Sequence, residues 1–100
     1  MTNNTSSEGV NTGYRICWGS SLDIAYSAIL KDELLKALES KQDCYIDAAN
    51  VSRVDTASLQ VLAAFVRDLE TQGSKLVWQG DSEVIRQGAG LLGLEQILRL

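Results

Sequence analysis

The sequence contains no histidine. That absence removes the commonest general base near neutral pH and the usual zinc ligand. Cysteine is scarce: Cys17 and Cys44 lie far apart without Cys-x-x-Cys spacing, so two thiols alone cannot close a zinc site. Both sit in strand-like contexts and read as buried, reduced thiols, with a disulfide as the alternative. Proline is absent too, and no function attaches to that. No apolar run is long enough for a spanning helix. The polar N-terminus lacks the basic and apolar regions of a signal peptide. The expected location is therefore cytoplasmic, without direct membrane insertion. No P-loop and no Gly-x-Gly-x-x-Gly run occurs. The net charge of −4, with a pI near 4.6, supplies no basic footprint for nucleic acid or an anionic membrane.

What is present suits one small globular unit. The 100 residues, 45% of them apolar, allow a single domain with a modest core. Residues 1–13 are rich in Asn, Thr, Ser and Gly and read as a disordered polar tail. The folded domain is expected over 14–100. Tyr14, Ile16 and Trp18 share one face of a first strand. Gly19-Ser20-Ser21 reads as a turn into a short second strand, Leu22-Asp23-Ile24. From Ala25 to Ser40, Tyr26, Leu30, Leu34 and Leu38 repeat every fourth residue, which predicts a helix. Ala37 shares its face, Leu35 lies at the border, and Asp32 and Lys36 are spaced for an exposed ion pair.

The stretch from Cys44 to Leu62 organises the rest. Cys44, Ile46 and Ala48 alternate with Tyr45 and Asp47, the period of a strand with one face buried. Ala49 to Val54 reads as a polar connector. Asp55 then stands directly before a helical pattern, Leu59, Leu62, Val66 and Leu69, with Phe65 alongside. Its carboxylate suits an N-cap, because first-turn N–H groups lack partners. Thr56 falls on the first turn, at the positive end of the helix dipole. On these residues alone, Asp55 is complete as a cap and Thr56 as a first-turn residue. A second stripe, Thr56, Gln60, Ala63 and Arg67, is small and weakly charged. It is either ordinary helix surface or a docking face for a protein. The helix is expected to end at Gln72, with Gly73 following.

A further strand is expected at Lys75 to Gln79. Asp81 or Ser82 then caps a third helix with Val84, Ile85, Ala89 and Leu92 on its apolar side. Gly88 and Gly90 inside that helix point to close packing or a weak helix. Gly93 ends it, and Leu94 to Leu98 reads as a last short helix. Strands alternating with helices predict an α/β fold with a largely parallel sheet, and so few helices leave room for one partly bare face. Asp43 and Asp47 could share a strand face, but no cleft accompanies them and no nucleophile has a base. The chain therefore reads as non-catalytic, with no cofactor and no metal.

Val54-Asp55-Thr56-Ala57-Ser58-Leu59, following a strand that ends near Asp47, resembles the signature of STAS domains, small domains shared by bacterial anti-sigma-factor antagonists and sulfate transporter tails. The family pattern is an apolar residue, Asp, Ser or Thr, any residue, Gly, then Leu or Val. Asp55 and Thr56 match it; Ser58 stands where Gly is usual. Gln79-Gly80-Asp81-Ser82-Glu83-Val84 and Leu91-Leu92-Gly93-Leu94 also look like the family's closing pattern. The resemblance runs from about Leu22 to the end. It implies a single STAS-like domain with a mostly parallel sheet of about four strands, an N-terminal antiparallel hairpin, and three to four helices. It also implies a switch: Thr56, with Ser58 as second candidate, is phosphorylated by a serine/threonine kinase-like anti-sigma factor or related regulator. Asn50, Ser52, Arg53, Asp55, Thr56, Gln60, Ala63 and Arg67 would form the partner-binding surface. Ser52-Arg53-Val54-Asp55-Thr56 looks equally like lone STAS subunits of phospholipid ABC transporters, which bind the ATPase without phosphorylation. A third reading is an interaction module that has a partner and has lost the switch, with Ser58 as the trace of that loss.

Overall fold

Alternation along three strands builds the centre of the molecule. The computed structural model describes residues 13–23 and 27–100. Residues 1–12 of the tail expected over 1–13 lie outside them, as do Ile24 of the second strand and Ala25 and Tyr26 of the first helix, whereas Gly13 already belongs to the first strand. Strand β3 (Asp43–Asp47) runs between β1 (Gly13–Cys17) and β5 (Leu76–Gly80), parallel to both. Ile16 aligns with Ile46, and Ile46 with Trp78. Cys44, Ile46 and Ala48 are fully buried on the inward face, as their alternation predicts. Burying a side chain such as Ile46 contributes about 1.5–3 kcal/mol. On the outward face Arg15, Cys17 and Gln79 are exposed. There the Arg15 guanidinium lies 5.2 Å from the centre of the Tyr45 ring and donates to Gln79 Oε1 at 2.7 Å.

The helices cover the inward face. In α1 (Ser27–Glu39), Leu30, Leu34 and Ala37 are buried and Leu38 half-buried, the stripe that the spacing predicts. Lys36 meets Asp32 at 3.3 Å on the solvent side. In α2 (Thr56–Thr71), Leu59, Leu62, Phe65, Val66 and Leu69 all enter the core. Gly73 takes φ +92 beyond its end, a left-handed conformation that glycine adopts without a Cβ clash. That turn lets the Ser74 N–H reach the Leu69 carbonyl at 3.0 Å and the Gly73 N–H the Glu70 carbonyl at 3.0 Å, satisfying carbonyls the helix leaves open. α3 (Glu83–Leu92) buries Ile85 and Ala89 and closes the same way at Gly93.

Four expectations are corrected. The first two strands do not form a hairpin. Among the described residues β1 pairs with β3, and β2 (Ser21–Leu22) pairs parallel with β4 (Arg53–Val54) in a separate two-stranded sheet. The connector thus contains a fifth strand, too short to carry any periodicity. Leu94 to Leu98 is a set of turns: the Leu98 N–H reaches the Leu94 carbonyl at 2.9 Å, but Arg99 turns to φ +62 and stops propagation. This segment still packs, because Leu98 is buried, its carbonyl accepts from Trp78 Nε1 at 2.7 Å, and Arg99 Nε donates to Glu70 at 2.7 Å. Finally, Cys17 is exposed, since strand period places it opposite Ile16 and Trp18. Cys44 is buried as expected. Burial, with Glu33 nearby, pushes its thiol up to about 12. Both cysteines are unlinked.

Candidate functional site

The loop before α2 is polar in composition yet firmly anchored. Asp47 Oδ1 accepts from the Ala49 N–H at 3.0 Å, turning the chain as it leaves β3. Val51 is buried. Its carbonyl accepts from Ser82 Oγ at 2.7 Å, which fastens the loop to the start of α3. The Ser20 carbonyl accepts from the Ser52 N–H at 2.8 Å and the Arg53 N–H at 3.2 Å. The Asp55 N–H donates to the Leu22 carbonyl at 3.1 Å. Residues 51–55 therefore approach α2 along a fixed path.

Asp55 is the N-cap of α2. Its backbone is extended, and its Oδ1 accepts from the Ser58 N–H at 2.8 Å. Thr56, the first helical residue, is exposed. It opens on a groove of about 570 Å³. One side is formed by Ser52, Arg53, Asp55 and Thr56, and Leu59 and Val54 lie within. The opposite wall comes from α3, through Val84, Gln87, Gly88, Leu91 and Leu92. A Cβ on Gly88 would stand 2.7 Å from Leu59 Cδ1, so the glycine lets α3 approach the first turns of α2 closely. Leu91 is 89% exposed on the rim. Among the described residues Arg53 has no ion-pair partner, so the groove holds an apolar wall, an available guanidinium and a threonine hydroxyl at a helix N-terminus.

The sequence-predicted residues divide in space. Ser52, Arg53, Asp55 and Thr56 come together in the groove. Asn50, Gln60 and Arg67 are exposed outside its lining. Ala63 is only 6% exposed and turns into the core, so it offers little surface to a partner. Ser58 is 2% exposed, and its hydroxyl has no hydrogen-bond partner among the described residues. A kinase could reach it only by opening the first turn. Asp43 and Asp47 are occupied structurally, accepting from the N–H groups of Lys75 and Ala49. The α3 wall escaped the sequence reading. Gly88 within a helix was the signal of it, since a glycine there marks close packing.

A family model described as "Mlab, STAS domain" matches residues 17–99. The chain belongs to the STAS-domain family. The capped α2 start and the loop before it lie within the matched region of this STAS domain. The fold is also similar to the NMR structure of the protein TM1081, with a TM-score of 0.69 at 15% identity, covering 85% of this chain and 70% of that one. At that identity the likeness concerns the fold alone. No curated protein matches this STAS domain. Among its described residues no helix is long and apolar enough to cross a membrane.

Proposed function

We propose that this STAS domain is a non-catalytic, cytoplasmic regulatory binding protein that docks a kinase-like or anti-sigma partner over the Thr56 groove and is released when Thr56 is phosphorylated. The observation that carries this reading is an exposed threonine hydroxyl on the first turn of a capped helix, beside a partly apolar groove. The partner kinase would transfer the γ-phosphoryl group of ATP to Thr56 Oγ1, the hydroxyl losing its proton. The product adds about −1.5 to −2 charges. The N-terminus of α2 tolerates that charge, since its dipole and open N–H groups favour anions. The fold survives, and a partner packed over the groove meets a charge that it would have to desolvate.

A second reading keeps the same surface and changes the partner. Leu91, Leu92 and Val84 give the groove an apolar wall, which suits a permanent subunit contact. On that reading the domain is a subunit that binds and stabilises the ATPase of a phospholipid ABC transporter, and Thr56 is a contact residue only.

One experiment separates the two: a pull-down from the native cell extract with wild type and Thr56→Glu in parallel, read by mass spectrometry. A kinase-like partner that wild type retains and Thr56→Glu loses supports the switch. An ATPase subunit held equally by both forms overturns the switch and supports the adaptor.

A further inference from the structure

Charge and apolar relief in the groove beside Thr56 restrict what can fill it. Among its lining residues Arg53 is the one cation and Asp55 the one anion. The Asp55 carboxylate accepts from the Ser58 N–H at 2.8 Å and so serves the start of α2. Arg53 is exposed, and among the described residues it has no ion-pair partner. The charges at the start of α3 are already engaged, Arg86 with Asp81 and Glu83 with the Gln87 amide. A chain of net charge −4 therefore presents a positive spot at this groove. Apolar residues lie on two sides of α3. Ile85 and Ala89 enter the core, while Val84, Gly88 and Leu91, at i, i+4 and i+7, form a ridge along the groove. At Gly88 the ridge drops to Leu59 and Val54, which floor the groove. Leu91 stands almost fully exposed above them.

We propose that the groove receives an acidic, apolar segment of a partner protein, with a carboxylate paired to Arg53 and a large apolar side chain between Leu91 and the floor. This inference rests on the reading that a partner docks over Thr56, and it names the chemistry of what docks. A basic segment would set like charge against Arg53. A wholly apolar segment would bury the guanidinium unpaired, which is costly. A small anionic amphiphile would meet Arg53 and the floor but leave Leu91 in water, whereas sites for such molecules enclose most of the ligand. A polypeptide covers rim and floor together. The same chemistry gives the Thr56 switch its force. A phosphate on Thr56 sets like charge against the carboxylate and competes for the guanidinium that holds it.

Panning a displayed library of random dodecapeptides on the full chain tests it, with Arg53→Glu and Leu91→Ser panned in parallel. Wild type is expected to enrich peptides that combine Asp or Glu with Leu, Ile, Phe or Trp. The synthesised consensus peptide should bind with a dissociation constant of about 100 µM or below in calorimetry. Arg53→Glu is expected to weaken it about tenfold or more, and to enrich peptides with Lys or Arg instead. Leu91→Ser is expected to weaken it about fivefold or more. Both side chains are exposed, and circular dichroism checks that each variant folds. No enrichment, a consensus without a carboxylate, or a peptide that Arg53→Glu binds as well as wild type overturns the inference. Adding Arg53→Glu to the pull-down separates it from the docking reading. A partner that Thr56→Glu releases and Arg53→Glu retains leaves docking in place and overturns the acidic segment.

Discussion

The molecule starts two of its helices with the same device and puts them to different uses. α2 opens on Asp55, whose carboxylate accepts from the Ser58 N–H. α3 opens on Ser82, whose hydroxyl accepts from the Ile85 N–H at 3.3 Å. The Ser82 side chain is buried and also donates to the Val51 carbonyl, so that cap fastens a loop. The Asp55 cap leaves its following residue, Thr56, facing solvent at a groove. A helix start that is tied to the core serves stability. One whose first residue faces solvent keeps its outward side for contact with another molecule. The second arrangement depends on the first, because Ser82 holds the loop that delivers Asp55.

Four substitutions test this contrast, in falling order of effect on stability. Ser82→Ala removes a buried donor and a cap together; the expected loss is about 2 kcal/mol, lowering the melting temperature by roughly 10 °C in calorimetry. Asp55→Ala removes the carboxylate that caps α2, for about 1 kcal/mol and roughly half that shift. Urea titration should rank the two in that order; a larger effect at Asp55 would reverse the division of roles. Ser58→Ala removes a buried hydroxyl that has no partner and improves helix propensity, so stability should rise by about 0.5 kcal/mol. A fall in the denaturation midpoint would reveal a hydrogen bond from Ser58. Thr56→Glu is expected to stay within about 0.5 kcal/mol of wild type, since it is exposed and adds negative charge where the dipole favours it. Chemical denaturation measures this, and a loss of several kcal/mol would assign Thr56 to the core of the fold.

Much of this arrangement could be read from the chain. Alternation at Cys44, Ile46 and Ala48 and the four-residue spacing in α1 and α2 each reflect a period that burial imposes on sequence. Asp55 and Gly73 are legible because capping chemistry is local. A short strand was expected close to β2, but β4 and its pairing with β2 were not legible, since two residues have no period and the pairing joins distant segments. The hairpin that the resemblance implied is replaced by two parallel pairings, β1 with β3 and β2 with β4. Half of the groove was missed because α3 reaches Thr56 through space alone. Ala63 was placed on the outer stripe by angle, yet α2 is buried around enough of its circumference to take it in.

Every strand pairing among the described residues is parallel and joins residues about thirty positions apart, as Gly13 with Asp43, Ser21 with Arg53 and Cys44 with Leu76. None of these pairs can zip from a tight turn. Closing such loops precedes any reward from the contacts that they make, so the chain should fold more slowly than a helical bundle of equal length. During synthesis β1 has no strand to pair with until β3 has left the ribosome. The nascent chain must wait, with Ile16 and Trp18 still exposed to water, for the stretch that begins at Asp43.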